Sequence, residues 1–173
     1  LPQVDREQNA ELEADITPFE IKEAIKSLTT GKSPGPDGLP TEFYKTNMEV
    51  LIPHQQKLYA DSEEARILPA SMREALLIPL LKPGKDPTIL GSCRPLALLN
   101  TDYKILAKIL ADRIVMLVPG LVHPDQNGFV PTRNTSLNLR RFFRVLEYAP
   151  THWPYSGCLV LDLEKAFDSL EWP

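Results

Sequence analysis

The sequence predicts an α+β, helix-rich fold. Three observations carry that reading: helical apolar periods in both halves of the chain, short apolar runs of strand length, and 17 prolines in 173 residues that cut the chain into short elements. Apolar residues make up 43% and charged residues 24%, close to an average soluble domain, which excludes wholesale disorder. No apolar run reaches the roughly 18 residues a membrane helix needs, so no membrane partner is expected. The start, Leu1-Pro2-Gln3-Val4-Asp5, has no basic or apolar leader and no Met, and reads as neither a signal peptide nor a natural beginning. Cys93 and Cys158 are too few for a disulfide framework or a zinc cluster. The expectation is an intracellular protein, nuclear or cytoplasmic.

The elements follow in order. Residues 1–15 are polar, acidic and without period, an extended lead-in. Thr17-Pro18-Phe19-Glu20 is a capping box with proline in the first turn. Ile16 and Ile21 stand at staple positions, and Ile21, Ala24, Ile25 and Leu28 keep helical spacing, so a helix is predicted over 17–29 with Gly31 to end it. Ser33-Pro34-Gly35-Pro36-Asp37-Gly38-Leu39-Pro40 is a rigid, exposed turn. A helical stretch over 41–63 is expected to break near Pro53. Residues 74–81 read as a strand, at an edge because Pro79 removes a ladder donor. The basic turn 82–87 then leads into a run at 94–99. Residues 101–118 form an amphipathic helix stopped by Pro119-Gly120, and another helix is predicted over 135–148. Cys158-Leu159-Val160-Leu161 suits a buried strand that ends at Asp162.

The net charge of −4 hides a segregation. Residues 1–64 carry 6 basic against 13 acidic side chains, 65–145 carry 12 against 5, and 146–173 carry 1 against 5. A basic middle between acidic ends suits a surface facing a polyanion, although solvated faces can give the same blocks. Asp162, after an apolar run, would be delivered at a strand end, where a carboxylate is costly unless paired or metal-bound; a helix N-cap is the plainer alternative. Gly31-Lys32-Ser33 is not a P-loop, because Lys26 stands where its first glycine should be. His54, His123 and His152 have no zinc spacing.

The segment from Leu159 to Pro173, with Asp162 followed by Lys165-Ala166-Phe167-Asp168, resembles the first catalytic motif of reverse transcriptases from non-LTR (LINE-type) retrotransposons. Four earlier blocks are similar to the same family in the same order. They are Gly31 to Tyr44, Ile78 to Asp86, Cys93 to Leu106, and His123-Pro124-Asp125-Gln126-Asn127-Gly128-Phe129-Val130-Pro131. The resemblance implies reverse transcriptase fingers over 16–150 and the start of the palm, with its first strand, over 151–173 of a truncated right-hand polymerase. It implies an RNA template, a DNA primer and deoxynucleoside triphosphates as partners, and Mg2+ as the metal of the intact enzyme. Asp162 would be a metal ligand and catalytic residue, with the Leu163 carbonyl a second ligand. Phe167 would exclude a ribose 2′-hydroxyl, and Asp168 would cap or brace a helix. Lys82 and Arg94 would contact the incoming triphosphate, across a spacer longer than the family's, and Gln126 would lie near the nascent base pair. Arg133, Arg140, Arg141 and Arg144, with Phe142 and Phe143 interleaved, would meet template or phosphates, or else form a basic outer face over buried rings.

The second carboxylate motif of the family, an aromatic followed within two residues by Asp-Asp, does not occur: there is no Asp-Asp pair in the chain, and Tyr59-Ala60-Asp61-Ser62 lies before Asp162 rather than after it. The chain is therefore expected to lack the rest of the palm and the thumb and to be inactive in isolation. A non-enzymatic nucleic-acid-binding remnant, or a decayed element without function, is the alternative.

Overall fold

The computed structural model describes residues 3–153 and 155–163. The chain divides into two compact units between Val122 and His123. The first holds helices α1 (Arg6–Leu12), α2 (Pro18–Ser27), α3 (Thr41–Thr46) and α4 (Met48–Ala65), strands β1 (Ala75–Leu81) and β2 (Cys93–Leu99), then α5 (Thr101–Val115) and α6 (Val118–Leu121); the second holds α7 (Ser136–His152). The mixed helix and strand content agrees with the expected class.

The N-terminal segment is not extended throughout. Asp5 and Gln8 form a capping box that starts α1: the Asp5 carboxylate accepts from the Gln8 N–H at 2.8 Å, and the Gln8 side-chain Oε1 accepts from the Asp5 N–H at 3.1 Å. No residue of α1 is buried, which is why it leaves no apolar period in the sequence.

Helix α2 begins as expected. Glu20 N–H donates to Thr17 Oγ1 at 3.2 Å, and Thr17 N–H donates to Glu20 Oε2 at 2.9 Å. Its buried face, Ile21, Ala24 and Ile25, meets Tyr44 of α3, Ile52 and Tyr59 of α4, Met72, and Ile105 and Ile109 of α5 in one core. Thr17→Ala is expected to cost about 1 kcal/mol, read as a lower urea midpoint with an unchanged slope.

Two helix boundaries differ from expectation. The break in the 41–65 stretch falls at Asn47, whose side chain and backbone N–H groups both donate to the Phe43 carbonyl. Pro53 stays inside α4, where burial of Ile52 in the core and packing of Leu51 against it outweigh one missing backbone bond. At the other end, α5 stops at Val115 and Pro119 enters the short α6 in its first turn, so the proline starts a helix there rather than stopping one.

Strands β1 and β2 pair antiparallel, with Pro79 opposite Pro95. Lys82 N–H donates to the Ser92 carbonyl at 2.9 Å, which fixes the alternation of the ladder. The two prolines therefore form a non-hydrogen-bonded pair, and their donor-less nitrogens face the two outer edges of the ribbon. Neither costs a ladder bond, and together they blunt both edges against further strand addition.

The expected buried strand at 158–161 does not form. These residues have no regular structure, and Leu159, Val160 and Leu161 are about four-fifths exposed. Among the described residues the only sheet is β1–β2, and a lone apolar run without a hydrogen-bonded neighbour has no means of becoming a strand.

Candidate nucleotide and nucleic-acid interface

The first unit brings Lys82 and Arg94 together. In the ladder, Leu80 lies opposite Arg94, and the Lys82–Ser92 bond continues that register by one pair. Side chains alternate along each strand, so Lys82 and Arg94 share one face of the ribbon as diagonal neighbours, with Cβ atoms about 7–8 Å apart or less. The longer spacer between them is taken up by the connection 83–92, with Gly84 at φ +70° and a 3₁₀ turn at Leu90–Ser92. Asp86 holds that connection by accepting from Thr88 N–H at 2.8 Å and Thr88 Oγ1 at 2.6 Å, contacts that lower its pKa. Lys82 Nζ donates to the Gly91 carbonyl at 3.1 Å, so the ammonium is partly oriented by its own hairpin, while Arg94 is exposed.

The base of the ribbon is fixed by Asn100, a residue the sequence reading passed over. Its Oδ1 accepts from the Asp37 N–H at 3.2 Å and its Nδ2 donates to the Ser71 carbonyl at 2.8 Å. Thr101 Oγ1 donates to the Leu39 carbonyl at 2.9 Å. The turn at 33–40 is thus a brace against the β2–α5 junction and not a phosphate cradle. Tyr59 Oη donates to the Asp102 carbonyl at 2.9 Å, and burial pushes both that phenol and the Asp102 carboxyl above their ordinary pKa values.

In the second unit, Arg133 is already engaged: its Nη1 donates to the carbonyls of His123 at 2.6 Å and Gln126 at 2.8 Å. Gln126 Nε2 donates to the Gly128 carbonyl at 3.1 Å, so this side chain braces the tight turn. Arg141 pairs with Asp125. Arg140 and Arg144, one turn apart on α7, have no ion-pair partner among the described residues. The two Phe rings are not in a core. Helical spacing sets Phe142 on the side opposite Arg140 and Arg144 and puts Phe143 one turn from Arg140 at that face's margin, and no residue of α7 is buried. Phe142 lines a groove of about 600 Å³ with Leu146, Trp153 and Leu159.

Asp162 and Leu163 are exposed and outside regular structure. Phe167 and Asp168 lie outside the described residues. Among the described residues, no group of three or more His, Cys, Asp or Glu side chains could hold a metal ion. One carboxylate beside one backbone carbonyl does not fit a magnesium centre, which needs near-octahedral oxygen ligation. No helix among them is long and apolar enough to cross a membrane.

Comparison with known proteins agrees with the motif blocks. A family model described as reverse transcriptase (RNA-dependent DNA polymerase) matches residues 80–173. The chain is 35% identical over 171 residues, 99% of its length, to the Transposon TX1 uncharacterized 149 kDa protein of Xenopus laevis, of which it covers 13%. It is 32% identical over 165 residues to an RNA-directed DNA polymerase from mobile element jockey of Drosophila funebris, covering 91% of this chain and 18% of that protein. It is also 29% identical over 166 residues to a retrovirus-related Pol polyprotein from type-1 retrotransposable element R1 of Bradysia coprophila, covering 93% of this chain and 16% of the other. This chain belongs to the reverse transcriptase family, and its relatives are those of non-LTR retrotransposons. It spans less than a fifth of the length of these relatives.

Proposed function

We propose that this chain is the fingers and first-palm portion of a retrotransposon RNA-directed DNA polymerase, and that it holds the incoming deoxynucleoside triphosphate on the Lys82–Arg94 face of the β1–β2 ribbon. The observation that carries this reading is the ladder register, which sets two cations twelve positions apart in sequence on one face. A triphosphate is met by the planar guanidinium of Arg94 as a two-pronged donor and by the Lys82 ammonium as a point charge. In the second unit, Arg140 and Arg144 would be the unengaged contacts to template or primer phosphates. Asp162 would be this chain's one carboxylate toward the divalent-metal centre of the intact polymerase, and Phe167 its sugar discriminator.

The polypeptide by itself lacks the second carboxylate pair and is expected to extend no primer. Its binding function is testable alone. Equilibrium binding of a deoxynucleoside triphosphate should weaken about 10-fold or more in Lys82→Gln and in Arg94→Gln, matching the loss of one charge-assisted contact of about 1.5–3 kcal/mol. Arg94→Lys should restore little, because the fork is lost. Unchanged triphosphate binding in Arg94→Gln would remove this reading. The basic 65–145 segment favours the second reading, a nucleic-acid-binding remnant without chemistry. In that case oligonucleotide binding is salt-dependent while triphosphate binding is insensitive to both substitutions.

A further inference from the structure

The loop 123–133 holds one aromatic ring wholly in solvent. Phe129 has a relative exposure of 108% and a backbone φ of +61°, a region that bulky L-residues avoid. Apolar burial would turn the ring inward, and relief of the backbone would move it out of that region. The surroundings prevent both. Asn127 and Val130, on either side of it, are buried. Arg133 ties the carbonyls of His123 and Gln126, and Gln126 ties that of Gly128. Asn127 Nδ2 donates to Asn138 Oδ1, Asn138 Nδ2 donates to the Asp125 carbonyl at 3.2 Å, and Asp125 pairs with Arg141. The loop and the first turns of α7 are thus one body, carrying an outward ring and the unengaged cations Arg140 and Arg144.

We propose that Phe129 is a stacking platform for an unpaired base of a single-stranded nucleic acid whose phosphates are held by Arg140 and Arg144. A flat apolar face carried on the same body as two unengaged cations matches a base with its phosphates, and a duplex has no free base face to offer. The proposal rests on the nucleic-acid-binding part of the function proposed above and adds the strandedness of the ligand and the residue that reads it.

The test is anisotropy of a short labelled RNA oligonucleotide titrated with the 173-residue chain. Phe129→Ala should weaken single-strand binding by about 5- to 150-fold, the range measured for one base-aromatic stack. The slope of log affinity against log salt should stay unchanged, since no phosphate contact is lost. Phe129→Trp should restore affinity, and a 2-aminopurine base should be quenched by the wild type but not by Phe129→Ala. Phe129→Gly should raise the thermal midpoint while lowering affinity, which separates stacking from folding. Wild-type affinity in Phe129→Ala, with loss only in Arg140→Gln and Arg144→Gln, would overturn the stacking role and leave nucleic-acid binding standing. A wild type that binds no oligonucleotide would overturn both. Self-association abolished by Phe129→Ala, with RNA binding unchanged, would show a ring made for a protein pocket and overturn the proposal.

Discussion

Gly35→Ala is expected to lower the thermal midpoint by about 6–12 °C, a larger effect than any other single added methyl group in the described turns. A Cβ at this position would stand 2.2 Å from Asn100 Oδ1, 2.4 Å from Asn100 N and 2.5 Å from the Leu99 carbonyl carbon. Two of those three atoms are backbone, so no rotamer change relieves the clash. Either the 33–40 turn lifts from the β2–α5 junction or the junction itself moves. Lifting breaks the Asn100–Asp37 and Thr101–Leu39 bonds, and the combined cost is about 3 kcal/mol. Gly38, at φ +72° with open space around it, is the control: alanine there should cost only about 1 kcal/mol of backbone strain. Calorimetry of the two variants checks the difference. Equal losses would mean that the turn is not braced by Asn100.

Arg113 carries the second large effect. Its Nε and Nη2 donate to the two oxygens of Glu20 at 2.6 and 3.0 Å, and its other N–H groups reach the carbonyls of Leu12, Ala14 and Asp15. The five guanidinium donors thus join α5 to the start of α2 and to the end of α1. Arg113→Ala leaves three carbonyls and Glu20 Oε1 without their protein donor, while Oε2 keeps its Thr17 contacts, and is expected to cost about 3 kcal/mol. The hydrogen-bonded guanidinium holds the Glu20 carboxyl at a pKa of about 2, against 4.5 for an unperturbed glutamate. The folded-state value is depressed, so the pair's contribution is complete above 4.5 and is lost as the pH falls toward 2. Allowing for solvent screening of a carboxylate a quarter exposed, that loss is about 2 kcal/mol. Urea midpoints measured across this acid range should fall for the wild type and fall much less for Glu20→Gln. Parallel pH profiles would contradict the role given to the pair.

The parts of the fold that were legible in the sequence are those with local causes. The Thr17–Glu20 box, the period from Ile21 to Leu28, and the apolar runs on either side of Gly84 each state their structure within about ten residues. The Asp5–Gln8 box was equally present, but α1 buries nothing, and without an apolar stripe the box alone was passed over. Pro53 misled because burial of its neighbours decides the outcome there. Asn100 could not be ranked from sequence, since its partners stand 63 and 29 residues away. For the site, the motif blocks make Lys82 and Arg94 candidates, and the register adds that they share one face of the ribbon. Arg133 and Gln126 carry the right chemistry for a ligand, but Arg133 Nη1 and Gln126 Nε2 donate to carbonyls of the loop that holds them. Phe129 left one signal, an aromatic directly after Gly128 in a tight turn, and its left-handed backbone shows only in three dimensions.

Amide shift mapping of the isotope-labelled chain during titration with a deoxynucleoside triphosphate is the most direct measurement to make. Triphosphate held on the ribbon predicts that shifts concentrate at 80–82 and 92–94 and vanish in Arg94→Gln. Shifts absent from both stretches, or found only in the α2–α5 core, would contradict the assignment of this face as the nucleotide site.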